Sequence, residues 1–322
     1  MSVPFFSTFQ TTSSSENAPF VHLPREKWWG AFDLYQWEGF WYTLPRLQAT
    51  TAMQNHFKSL DDDVILASSI KTGTTWIKAL IPSIMADRIL TDEQDPLLTN
   101  HPNVLIASLE FKIYRENTTP NLSEMQSPRL FRTHVPYRAL PESIKNSKCR
   151  IVYMSRSPKD TFVSMWHFVN TLRSDEERPF PIEEAFESFC DGVSAFGPFF
   201  DHVLEYWKVS LEKPNKILFL TYEEMKHDPK GQVKRLAEFL GRPFEKEEEV
   251  DKVVWRCSLE RLKSLDVNKE GMDPWDGVPH RAYFRRGTVG DWKKHLTDEM
   301  ASRLDKITRM KVEGSGLSFQ EV

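Results

Sequence analysis

Only three cysteines occur in the 322 residues, Cys149, Cys190 and Cys257, an odd number at wide spacing. Neither a disulfide framework nor a cysteine zinc site can organise such a chain, and a reducing compartment fits it best. No apolar run reaches the length of a membrane span, and the opening MSVPFFSTFQTTSSSENAPF lacks a basic region followed by a long apolar stretch. A cytoplasmic location is expected, and the glycosylation-like triplets at Asn117 and Asn121 are read as chance. Positive charge is not in excess either: 42 Lys and Arg face 46 Asp and Glu, for a net charge of -4 and a pI near 6.2. Nothing draws the whole molecule to nucleic acid or to an acidic membrane, so an anion must be held by local clusters, which points to a small ligand. Repeats and dividing linkers are missing too. Residues 1–20 read as a loose Ser/Thr-rich tail, and residues 21–322 as one domain.

Aromatic residues, by contrast, are plentiful. Trp28, Trp29, Phe32, Tyr35, Trp37, Phe40, Trp41 and Tyr42 form a dense block, expected to pack as a layer of core rather than to bind ligand. Residues 91–128 read as a long irregular connection of the kind that forms lids or binding walls.

The sharpest local signal lies in VILASSIKTGTTWIKALIPSIM, residues 64–85. VILAS has the composition of a buried strand. Ile77, Leu80, Ile81, Ile84 and Met85 follow at helical spacing, with Pro82 expected to kink the helix. Between them stand Lys71, Thr72, Gly73, Thr74, Thr75 and Trp76. A strand, a tight turn and a helix in that order favour an anion. The first N–H groups of the helix lack helical partners, the macrodipole adds partial positive charge, Gly73 admits a close approach, and Lys71 adds a full charge. The turn is not a Walker loop, which needs G-x-x-x-x-G-K-[ST]; here the Lys precedes the only Gly, which disfavours an ordinary Mg-nucleotide kinase or ATPase.

Further strands are expected at 129–133, 150–155 and 216–221, alongside the one at 64–69. Helices are expected at 158–172 (capped by Ser157), 181–191, 198–212, 229–240, 245–257 and 297–311. The alternation predicts a parallel sheet with helices on both faces, where ligands bind beyond the carboxyl ends of the strands. The four strands are followed by Lys71, His134, Arg156 and Tyr222. Two cations, an imidazole and a phenol thus collect at one edge, suited to an anionic nucleotide and a proton transfer. His134, beside Arg132, is a candidate base, since a nearby cation keeps imidazole neutral. Arg156 and Ser164, eight residues apart, could grip a phosphate, and Arg285, Arg286 and Gly287 form a basic, glycine-punctuated loop able to make a second clamp.

These motifs together resemble the cytosolic sulfotransferases, closest to the plant flavonol-type branch. Lys71-Thr-Gly-Thr-Thr-Trp76 is similar to that family's phosphosulfate loop, and Thr133-His134-Val135-Pro136 to the segment around its catalytic base. Arg156-Ser-Pro-Lys-Asp160 with Ser164 resembles its 3′-phosphate segment, and Arg285-Arg-Gly-Thr-Val-Gly-Asp-Trp-Lys293 the motif that closes over that phosphate. Arg132 replaces a lysine common in animal members, and Leu259 stands where an adenine-facing aromatic is usual. The resemblance implies a single α/β domain of the P-loop nucleotide kinase type. It implies 3′-phosphoadenosine 5′-phosphosulfate as donor, 3′-phosphoadenosine 5′-phosphate as product, no metal, and a hydroxylated small-molecule acceptor such as a flavonoid, steroid, hydroxyjasmonate or desulfoglucosinolate. Trp76 and Tyr222 would contact adenine, and Lys71 would stabilise the leaving phosphate. The dimer motif of animal members is absent, implying a monomer or a different oligomer. A nucleotide kinase of the same fold, and a nucleotide-binding protein without turnover, are the competing readings.

Overall fold

The computed structural model describes residues 20–86 and 91–319. The tail expected over residues 1–20 falls outside them except for residue 20. The chain begins with a three-stranded antiparallel meander, β1 (Arg25–Trp28), β2 (Phe32–Trp37) and β3 (Phe40–Thr43), followed by helix α1 (Leu44–His56). The sequence reading anticipated the layer but neither its strands nor the helix. The layer is core, as expected: Trp28, Trp29, Phe40, Trp41 and Tyr42 are buried. Backbone bonds from Trp41 N to Gly197 O (2.9 Å) and from Phe196 N to Trp41 O (2.7 Å) tie it to the body of the fold.

The central sheet is parallel throughout. Its strands are β4 (Val64–Ser68), β5 (Ala107–Ser108), β6 (Leu130–Thr133), β7 (Arg150–Ser155) and β8 (Ile217–Thr221), in the order β5-β6-β4-β7-β8. Four of them match the expected strands to within a residue or two. β5 corrects the reading of 91–128 as purely irregular, and a π-helical turn, Leu109–Ile113, follows it. Alternate residues feed two separate cores: Ile65, Phe131, Ile151, Tyr153 and Phe219 join the cluster that includes the N-terminal layer. Val64, Leu66, Val152, Met154 and Leu220 join one with helix α2 (Thr74–Met85) and the helices Pro229–Phe239 and Glu247–Arg256. That period of two, apolar on both sides, is what a sheet covered on both faces requires.

At the amino end of the sheet Arg129 forms a buried bidentate pair with Asp63, Nε to Oδ1 at 2.8 Å and Nη2 to Oδ2 at 2.6 Å, pinning β6 beside β4. At the carboxyl end the chain leaves β4 for β5 and β6 on one side and returns for β7 and β8 on the other. The strand order therefore reverses at β4, and the crevice that opens at such a point is where open parallel sheets bind ligands.

Candidate active site

The turn after β4 is held open from below. Lys71 and Gly73 both have positive φ, 66° and 108°. A Cβ on Gly73 would come within 2.6 Å of the Tyr222 ring, so the position needs glycine on two counts. Thr72 is fully buried, its hydroxyl 2.9 Å from the carbonyl oxygens of both Ser69 and Met154. Alone among the expected site residues, Thr72 does not line the cavity; its side chain anchors the turn. Thr74, Thr75 and Trp76 open helix α2 with their side chains on the cavity wall.

The cavity has a volume of about 710 Å³. Lys71, Gly73, Thr74, Thr75, Trp76, His134, Arg156, Ser164, Tyr222, Arg285, Arg286 and Gly287 all line it, drawn from five separate stretches of chain. Phe111, Phe168 and Tyr283 are among the apolar residues that line it, and Lys78, Asn103, Arg132, His167, Arg178 and Leu259 also border it. Residues 91–128, expected to form a lid or binding wall, contribute Asn103 and Phe111, whereas the aromatic N-terminal block, expected as core, lines none of it. Leu259 packs against the backbone of Gly287.

His134 sits just past β6 with its ring fixed. Nδ1 donates to the carbonyl oxygen of Ser68 at 2.9 Å, which leaves Nε2 as the acceptor nitrogen. The Ser68 hydroxyl, 3.3 Å from the same Nδ1, is also 2.8 Å from Thr74 Oγ1 and so links the imidazole to the start of α2. The His134 backbone is held from both sides: its N–H donates to Glu110 at 2.7 Å, and its carbonyl accepts from His202 Nε2 at 2.9 Å. Burial, reinforced by the Arg132 charge, pushes the His134 pKa well below the ordinary imidazole value, so the ring is neutral.

Lys71 Nζ lies 3.8 Å from the centroid of the Phe168 ring. Burial, with the Arg285 and Arg156 charges adding to it, lowers its pKa to about 7. Arg156 stacks its guanidinium 4.4 Å over Tyr222, donates to Thr288 O at 2.7 Å and pairs with Asp160 at 3.2 Å. Asp160 in turn accepts from the N–H groups of Gly290 (2.8 Å) and Trp292 (3.0 Å), drawing the late basic loop onto the helix Pro158–Asn170. Arg285 and Arg286 both pair with Asp291, the latter at 3.0 Å. The Trp76 and Tyr222 rings meet edge to face at 5.7 Å. The result is a crevice lined by cations and aromatic rings, with the neutral imidazole of His134 on its wall.

The family model for the sulfotransferase domain matches residues 61–316. The chain belongs to the sulfotransferase family. Among its relatives, cytosolic sulfotransferase 5 of Arabidopsis thaliana is 46% identical over 304 residues, covering 92% of this chain and 94% of the relative. Cytosolic sulfotransferase 12 of the same plant is 42% identical across 99% of this chain and 98% of its own length. Their names carry the compartment expected from the sequence. Among solved structures, an Arabidopsis thaliana protein assigned as a steroid sulphotransferase superposes with a TM-score of 0.76 at 39% identity, covering 94% of each chain. A mouse sulfotransferase complexed with 3′-phosphoadenosine 5′-phosphate does so with a TM-score of 0.67 at 27% identity, covering 88% of this chain and 95% of that one. The fold is thus the P-loop-like sulfotransferase fold, and the chain is an enzyme of that class.

Lys78, Asn103, Phe111, Phe168 and Tyr283 were not singled out from the sequence. Only Lys78 left a trace there, as a charged residue directly beside Ile77 in the apolar pattern of α2.

Proposed function

We propose that this sulfotransferase moves a sulfuryl group from 3′-phosphoadenosine 5′-phosphosulfate to a hydroxyl of a small-molecule acceptor, with His134 as the base. The observation that carries the reading is the His134 tautomer: a buried neutral imidazole whose free Nε2 shares one crevice with Lys71 and the first turn of α2. The bound nucleotide of the mouse relative supports the choice of donor, and the residues present suit it. Lys71 and the N–H groups from Thr72 to Trp76 would hold the 5′-phosphosulfate; Arg156, Ser164, Arg285, Arg286 and Gly287 would hold the 3′-phosphate. Trp76 and Tyr222 would flank the adenine.

In the reaction the acceptor oxygen attacks sulfur as its proton passes to His134 Nε2. The bond from sulfur to the bridging oxygen breaks, and its electron pair leaves with 3′-phosphoadenosine 5′-phosphate. Charge then grows on the leaving phosphate, where Lys71 stands. Fixed cations do what a metal does in phosphoryl transfer, so the proposal calls for none. Residues 21–322 would act as one catalytic domain, as a monomer or in an oligomer without the animal dimer motif.

The test is to incubate purified protein with donor labelled in the sulfuryl group and a plant extract, and to identify the labelled product. Labelled product formed by wild type and not by His134→Ala supports the proposal. Tight nucleotide binding with no sulfation of any acceptor would assign the chain instead to the non-catalytic reading.

A further inference from the structure

The cavity wall next to His134 carries more positive charge than the donor accounts for. Arg132 lies on β6 two residues before His134 and lines the cavity, yet it is only 5% exposed. Its Nε is buried without a hydrogen-bond partner, and among the described residues no carboxylate stands within ion-pair distance of its guanidinium. Lys78, 3% exposed, faces the same space from α2, its ammonium bonded to the amide oxygen of Asn103 rather than to an acid.

The acids nearby are already engaged. Asp276 pairs with Arg46 and Arg115. Asp273 accepts from the Asn103 amide at 2.9 Å and from the N–H groups of Trp275 and Asp276. Glu110 accepts the His134 N–H with Oε1 while its Oε2 is buried without a hydrogen-bond partner; burial raises its pKa toward the neutral form, and the Arg132 charge opposes that without forming an ion pair. A buried guanidinium without an ion pair is costly, and burial lowers the Lys78 pKa well below the ordinary amine value; a ligand anion would give Arg132 the partner it lacks and favour the charged form of Lys78.

Under the proposed function, on which this inference rests, the donor's phosphates occupy the Lys71 turn and the Arg156–Arg286 clamp. Arg132 lies on β6 two residues before the His134 imidazole. Its guanidinium is 5.9 Å from the centroid of the Phe111 ring, and the His134 ring is 5.8 Å from that same centroid. An acceptor lying against Phe111 could present its hydroxyl to His134 and a second group to Arg132.

We infer that the acceptor carries a singly charged oxyanion, a carboxylate or a sulfate ester, about one ring's width from the hydroxyl that is sulfated, and that Arg132 and Lys78 bind it. A neutral phenol or sterol would leave the Arg132 guanidinium without an anionic partner.

The experiment compares kcat/KM of wild type, Arg132→Met, Arg132→Lys and Lys78→Met on a panel of aromatic and long-chain hydroxy acids and their methyl esters. Catechol monosulfate against catechol separates a sulfate ester from a carboxylate. Affinity for 3′-phosphoadenosine 5′-phosphate, measured by calorimetry on each variant, reports whether the fold and nucleotide site survive. Wild type should favour the charged member of a pair by about tenfold to a hundredfold, the range for one charge-assisted contact. Arg132→Met and Lys78→Met should erode that preference chiefly through KM, with Arg132→Lys retaining part of it. Preference for the esters would overturn the inference, as would failure to turn over any acid while the nucleotide binds. An equal fall in kcat on acids and esters in Arg132→Met would also overturn it, placing Arg132 on the transferring sulfuryl group instead. Failure of wild type to bind the nucleotide would strike the proposed function itself.

Discussion

His134 directs its Nδ1 proton to the carbonyl oxygen of Ser68, 2.9 Å away, and that bond leaves Nε2 as the ring nitrogen able to accept a proton. Since the ring is already neutral through burial, no protonation near ordinary imidazole values should limit turnover on the acid side. His134→Ala should lower kcat by about 10²- to 10⁴-fold, the usual contribution of a positioned base, while affinity for 3′-phosphoadenosine 5′-phosphate stays close to wild type. Single-turnover kinetics beside a nucleotide titration would check both halves; full activity in the variant would remove His134 from the mechanism.

Lys71 makes a different prediction about pH. With a pKa lowered to about 7 in the empty site, it is charged below that value and loses charge above it. An anionic nucleotide prefers the charged form, so binding above about pH 7 must draw in a proton, and affinity should fall as pH rises. Calorimetry at about pH 6 and about pH 8, in buffers of different ionisation heat, should show more proton uptake at the higher pH. The nucleotide titrates too, so Lys71→Met is the control: the uptake that remains in that variant is not the lysine's. Identical uptake in both proteins would mean that Lys71 does not bind the phosphates.

Much of this site was legible in the sequence because parallel strands buried on both faces are continuous apolar runs, and the residue after each run marks the sheet's working edge. Lys71, His134, Arg156 and Tyr222 follow from that rule alone. The N-terminal meander did not, since its aromatic residues fall on adjacent positions, as in Trp28-Trp29 and Phe40-Trp41-Tyr42, and hide the period of two. Helix α1 was missed because its buried face includes Arg46 and Thr50, which break the apolar stripe. β5, two residues long, is too short to have a period. Lys78 was invisible for a related reason: a lysine on an amphipathic helix normally reaches water, and only tertiary packing turns this one inward.

The late basic loop offers a test of clamp against scaffold. Arg286 is half-exposed and shares Asp291 with Arg285, so Arg286→Ala leaves that acid paired and should spare the fold. Its effect should fall on nucleotide affinity, by about tenfold or more for a charge-assisted contact. Asp160→Ala should behave otherwise. It strips the Gly290 and Trp292 N–H groups of their acceptor and leaves Arg156 buried without its ion pair, a change that typically costs about 3–5 kcal/mol. Thermal unfolding and nucleotide titration on both variants would separate the two: a stable Arg286→Ala with unchanged affinity rejects the clamp, and an Asp160→Ala as stable as wild type rejects the scaffold.

Gly73→Ala probes the turn itself. The residue holds φ at 108°, a conformation that L side chains rarely adopt, and the new methyl would lie 2.6 Å from Tyr222 Cδ2 and 3.0 Å from Met154 Cε. Backbone strain and overpacking of this kind cost about 1–3 kcal/mol each. Relief requires Tyr222 to move, and Tyr222 carries the stacked Arg156 guanidinium, so the disturbance should pass from the 5′ end of the nucleotide site to the 3′ end. The variant should therefore melt at a lower temperature and bind 3′-phosphoadenosine 5′-phosphate more weakly than the loss of the turn alone would give. Adenosine 5′-phosphate, which lacks the 3′-phosphate, measures that first part: if Gly73→Ala weakens both nucleotides by the same factor, the turn and Arg156 are not coupled through Tyr222.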